Sequence, residues 1–141
     1  MQYICDAPPF TWFRLETQAE AVAESRLMDH AVERYFRDSH EAAVATYVPP
    51  PSLHTFEQNI GLKDHVRRAM PMFVTLRAND GTALVTGMLP PAGKGADDFR
   101  PIIVGKGNGD PYVDYAAAIA ALGHHLRLSL ERDRCFPYRR G

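Results

Sequence analysis

The sequence predicts an α+β fold: a small mixed or antiparallel sheet of about four to five strands, with a long N-terminal helix and a C-terminal helix packed on it. Three observations carry this expectation. A capping box opens a helical run at Thr17, an Asp80-Gly81 turn joins two strand-like segments, and an alanine-rich helix follows Asp110-Pro111.

The elements follow in chain order. Phe10 to Leu15 is aromatic-rich after a Pro-Pro break and reads as a strand. In Thr17-Gln18-Ala19-Glu20 the hydroxyl can accept from a free N–H of the first turn, and the glutamate three residues on can return the bond. Ala23, Leu27, Met28, Ala31, Tyr35 and Phe36 then recur at helical spacing and predict one apolar face. Glu20 and Glu24 near the start, with Arg34 and Arg37 near the end, follow the order favoured by the helix dipole. Asp38 and Glu41 resemble a second capping box, so a break there and a restart through Tyr47 are expected.

Pro49-Pro50-Pro51 is a stiff connector. Leu53 to Gln58 is read as a strand, and Leu62 to Met70 as a short helix stopped by Pro71. Met72 to Arg77 and Thr82 to Leu89 form a hairpin about Asn79-Asp80-Gly81. Met72, Val74 and Leu76 mark one apolar face, whereas Phe73, Thr75 and Arg77 are mixed, so one side is expected to meet a helix layer. Residues 90–98 are a Gly/Pro-rich loop. Ile102 to Val104 is a short strand, at an edge or strand start because of Pro101. After the glycine loop 105–109, Asp110 serves as N-cap and Pro111 as first helical residue of a thin Ala116–Leu122 helix able to approach a sheet closely. That helix is expected to reach Leu126, with a short helical turn from Ser129.

Composition narrows the class. The 141 residues are 45% apolar and 23% charged, a globular balance that needs no disulfide or metal staple, and 1–141 is expected as one domain. A formal net charge of -1 provides no general field for nucleic acid. The charge is nonetheless uneven: from Leu126 onward, Arg127, Arg132, Arg134, Arg139 and Arg140 face only Glu131 and Asp133, a local net of +3. Aromatics interleave with these arginines in the tail, but no nucleic-acid module accompanies them. No apolar run reaches membrane-spanning length and the N-terminus lacks a basic, apolar leader; with two cysteines at opposite ends, Cys5 and Cys135, the expectation is a cytoplasmic chain with free thiols.

No motif names a reaction, and neither a metal nor a cofactor is expected. The six histidines form no His-Glu-x-x-His pattern, the cysteines no metal-binding pair, and the adjacent His124 and His125 diverge on a helix; His30 and Glu33 stand one helical turn apart. Gly105-x-Gly107-x-Gly109 before a helix can cradle an anion through backbone N–H groups, although the spacing matches no phosphate fingerprint. Gly87 to Lys94 misses a nucleotide loop by one residue, with Gly95 in place of the hydroxyl. The ligand-binding candidates are Lys106, Asn108, Asp110, Asp97 and Asp98, with His54 or His65 as acid–base partners. Cys135 is the reactive-thiol candidate, because neighbouring arginines stabilise a thiolate and His124 or His125 can act as base. Two functions follow. The first is a non-catalytic binding or assembly domain, engaging a protein partner or forming a homo-oligomer. The alternative is a small enzyme on a soluble metabolite or anionic small molecule at the glycine loops.

Overall fold

A computed structural model describes residues 1–51, 54–91 and 99–137. Its main elements are β1 (Gln2–Ala7), β2 (Phe10–Arg14), α1 (Gln18–Met28), α2 (Val32–Ala45), α3 (Thr55–Ala69), β3 (Met72–Arg77), β4 (Ala83–Leu89), β5 (Ile102–Val104) and α4 (Tyr112–Leu126). The fold is α+β, and the sheet is antiparallel with five strands in the order β1-β2-β3-β4-β5. Each strand pairs with its neighbour in sequence, even across the three-helix insertion between β2 and β3, where Trp12 lies opposite Leu76. The β3–β4 hairpin turns as expected. Gly81 takes φ 88°, open to glycine, and Asp80 Oδ1 accepts the Thr82 N–H at 3.0 Å.

Strand alternation sends successive side chains to opposite faces, and helices cover both. Trp12, Val74, Leu76, Val85, Leu89 and Ile103 pack against Ala118, Ile119 and Leu122 of α4. The thin alanine body lets α4 come close enough for Trp12 Nε1 to donate to the Ala118 carbonyl at 2.8 Å. Phe73 packs against α1–α3 through Ala21, Val32, Phe36, Ala43 and Val66. The mixed face of β3 is therefore buried too, and the expectation of one covered side is corrected. Its polar groups, Thr75 and Arg77, are satisfied beneath α1 rather than by solvent.

The capping box at Thr17 forms as read: Thr17 Oγ1 accepts from Glu20 N at 3.1 Å, and Glu20 Oε1 accepts from Thr17 N at 3.1 Å. The long helix beyond it does not. The chain breaks at Asp29, which takes the left-handed φ 51° while its N–H and that of His30 return to the Ser25 carbonyl. α2 then runs unbroken through Asp38, held by buried Val32, Phe36 and Ala43. The buried face of α1 is also not the expected one. Ala21, Glu24, Ser25 and Met28 face inward, whereas Ala23 is exposed and Leu27 is 50% exposed.

The strand read at Phe10 forms as β2, and β1 pairs with it about Pro8-Pro9, so the break before it is a hairpin turn. Two further expectations change. Within the expected strand Leu53–Gln58, Thr55 to Gln58 are the first turn of α3 (Leu53 lies outside the described residues). Glu57 at its start and Arg67 and Arg68 at its end favour a helix through the dipole, outweighing the strand propensity of Thr55 and Phe56. Finally, α4 ends at Leu126 as read, but the following helical turn is a 3₁₀ turn at Arg132–Arg134 rather than one starting at Ser129.

Candidate functional site

The break at Asp29 creates the site. Because α2 starts without a side-chain cap of its own, its first N–H groups borrow acceptors: Glu33 N donates to Ser25 Oγ at 2.9 Å and Val32 N to His30 Nδ1 at 3.4 Å. His30 is thereby held over the sheet, its Nε2 2.9 Å from Thr86 Oγ1 on β4.

Behind His30 runs a buried polar relay. Thr86 Oγ1 donates to Glu24 Oε2 at 2.5 Å, and Arg77 Nη2 donates to Glu24 Oε1 at 2.6 Å. Arg77 Nε also donates to Thr75 Oγ1 at 3.0 Å. Glu24 is wholly buried, and among the described residues no buried side-chain nitrogen or oxygen lacks a partner. The relay has a direction. A hydroxyl carries one proton, and Thr86 gives its proton to Glu24, so His30 Nε2 must donate to Thr86. Nδ1 is then the unprotonated nitrogen, as its role as acceptor for Val32 N requires. Burial pushes the His30 pKa down, with the charge of Glu24 acting in the opposite direction, and the neutral ring fits both bonds.

In front of His30 lies a cavity of about 350 Å³. Phe73, Thr86, Met88, Ile102 and Val104 form its floor on the face of the sheet opposite α4. Ala31, Val32 and Tyr35 line the side nearest α2, while Asn108, Phe136 and Pro137 line the other. Phe136 is positioned by its backbone beside β5, where its N–H donates to the Pro101 carbonyl and its carbonyl accepts from Ile103 N. Apolar walls with a few fixed polar groups are the usual make-up of a small-molecule pocket. Comparison with protein-family models, curated proteins and solved structures finds no match to this chain. The chemistry of the site carries the reading.

Of the residues singled out from sequence, Asn108 lines this cavity, and Lys106 begins the same 3₁₀ turn. That turn closes on itself, with Gly105 N donating to the Gly109 carbonyl at 2.7 Å. Asp110 acts locally: Oδ1 accepts from Tyr112 N at 2.9 Å at the start of α4, and Oδ2 pairs with Arg132. Arg132 also lies over the Tyr112 ring, tying the C-terminal segment to α4. Asp97 and Asp98 lie outside the described residues, as do Gly93, Lys94 and Gly95, while Gly87 sits inside β4. His54 precedes α3, and His65 Nε2 meets Thr46 Oγ1 at 2.8 Å; neither lines the cavity.

Cys135 and Cys5 are free and buried. Burial pushes the Cys135 thiol up, outweighing a bond from the Tyr112 hydroxyl, the reverse of the thiolate stabilisation suggested by the arginines beside it in sequence. His124 and His125 are exposed on α4. His30 is in the link between helices rather than on a helical face with Glu33. Among the described residues, no group of three or more His, Cys, Asp or Glu is placed to hold a metal ion, and no helix is long and apolar enough to cross a membrane.

Sequence reasoning missed the relay because Glu24, Arg77 and Thr86 come from three distant segments. One local signal was present. Ala21, Glu24, Ser25 and Met28 follow the i, i+3, i+4, i+7 rule, placing a carboxylate within a buried stripe.

Proposed function

We propose that this chain is a non-catalytic binding domain whose ligand is a small, largely apolar molecule with one hydrogen-bonding group, held in the cavity before His30. The observation that carries this reading is the engagement of both His30 nitrogens, one with Thr86 and one with Val32. A general base needs a nitrogen within reach of its substrate, and this ring has neither to spare. The relay instead stiffens one wall of an apolar cavity, which favours binding by limiting the ordering cost.

Ligand-observed NMR with small aromatic alcohols and amides tests the reading. Ala31 is exposed and lines the cavity, so Ala31→Trp adds bulk at the mouth without entering the core. Saturable binding that this variant abolishes is the expected result. Binding that Ala31→Trp leaves unchanged, or none at all, refutes it.

Assembly is the second reading, as a homo-oligomer or with a protein partner. It is favoured by Phe56 and Ile60, one helical turn apart on α3 and 74% and 47% exposed. A monomer mass by light scattering at high concentration, with no partner recovered, counts against it. The two free, buried cysteines support a reducing, cytoplasmic setting.

A further inference from the structure

We infer that the cleft where the end of β2 meets α2 and α3 is a second ligand site, one for a small organic acid. Its carboxylate would pair with Arg14, and its apolar body would lie along Phe36, Val44, Leu62 and Val66. The site is separate from the cavity before His30 and shares no lining residue with it.

Arg14 carries the argument. It is the last residue of β2 and only 8% exposed, yet a guanidinium keeps its charge at any ordinary pH. Its Nη2 donates to the Arg67 carbonyl at 2.9 Å, and among the described residues no carboxylate lies within ion-pairing distance of it. The stronger of the nearby charge effects is of the same sign. Arg67 contributes its own guanidinium, which is already committed to Glu16 Oε2 at 2.8 Å and to Gln2. Burial, and then the repulsion of Arg67, push Arg14 below its ordinary value, while Glu16 acts the other way. Buried charges in proteins are normally paired, as Glu24 is here by Arg77 and Thr86.

Arg14, a five-donor group with one side-chain bond to a protein acceptor, lines a cleft of about 570 Å³. Among the described residues no fully buried side-chain nitrogen lacks a partner, so the Arg14 N–H groups beyond the one that serves Arg67 are not sealed from solvent. The lining charges are Arg14, Lys63 and Arg67 against Glu16 and Asp64. Planar guanidinium and planar carboxylate match through two parallel hydrogen bonds. Most of the remaining wall is apolar: Leu15, Phe36, Val44, Leu62, Val66 and Met70. An inorganic anion would leave that wall in water, whereas an acid with a hydrocarbon body covers it.

The test is an NMR or calorimetric titration of the whole chain with phenylacetate, with the neutral phenylacetamide, and with inorganic phosphate. Phenylacetate is expected to bind at least tenfold more tightly than either. Arg14→Gln, which keeps a donor for the Arg67 carbonyl, is expected to weaken phenylacetate at least tenfold. Val44→Trp crowds the cleft from a partly exposed position away from Arg14 and is expected to do the same, so the inference stays testable if Arg14→Gln fails to fold. Ala31→Trp should leave phenylacetate binding unchanged, which separates this site from the first cavity. Equal affinity for acid and amide, phosphate binding as tight as phenylacetate, or full affinity in Arg14→Gln or Val44→Trp overturns the inference.

Discussion

Glu24→Gln tests the buried relay at its centre. The change removes a charge but little volume, so packing of the wholly buried side chain is preserved. Arg77, with a side chain 12% exposed, loses the carboxylate that lies 2.6 Å away. Breaking a buried pair by removing one partner costs about 3–5 kcal/mol. Arg77 keeps its bonds to Thr75 and to the Gly81 carbonyl, which places this term near the lower end, about 3 kcal/mol. A second term follows from proton direction. The glutamine carbonyl serves Arg77, so its amide must donate to Thr86, and the Thr86 proton turns toward His30. The ring must then accept at Nε2 and carry its proton on Nδ1, facing Val32 N, which loses its acceptor at a cost of about 1 kcal/mol. The total is about 4 kcal/mol. With a urea slope of roughly 2 kcal/mol per molar for a chain of this size, the midpoint should fall by about 2 M. Nitrogen NMR of the His30 ring should show the proton moved from Nε2 to Nδ1. A midpoint shift under about 0.5 M at unchanged slope, with the same tautomer, would refute the relay as described.

Two more predictions follow from the same structure. The His30 pKa is lowered by burial, with Glu24 and Asp29 opposing, so the unfolded chain takes up a proton first as pH falls below 6.5, the ordinary imidazole value. This stabilising contribution is complete above that value and declines below it. Urea midpoints at about pH 7.5 and about pH 5.5 should therefore differ more in the native chain than in His30→Gln, and equal differences would sink the assignment. Cys5 and Cys135 are both buried with thiols pushed up, so a disulfide thiol reagent should leave them unmodified until urea unfolds the chain. Rapid labelling of Cys135 in the native protein would restore the reactive-thiol reading.

Local rules read well where the physics is local. The Thr17–Glu20 box, the Asp80-Gly81 turn, the short β5 at the sheet edge and the end of α4 each depend on a few adjacent residues. The stop at Asp29 was illegible because its stabilisation comes from elsewhere: Ser25 supplies acceptors to both helices, and His30 is anchored to Thr86, 56 residues away in sequence. Missing that stop rotated the predicted apolar face, so Leu27 was placed inward and Glu24 was read only as a dipole partner. The Arg14 cleft was hidden for a related reason. Arg14 ends a strand, and nothing in its sequence neighbourhood announces that Arg67, 53 residues on, will lie beside it with a like charge.

Trp12, the only tryptophan in the chain, donates its indole N–H to α4 on the face of the sheet opposite His30. The chain thus carries a built-in optical reporter for one layer and a ring resonance for the other. Its intrinsic fluorescence follows the undocking of α4 and is silent about α1 and α2, while the His30 signal follows the α1–α2 link and is silent about α4. Recorded along one denaturation series, the two curves coincide if the layers melt as a single cooperative unit and separate if the sheet can lose one cover while keeping the other.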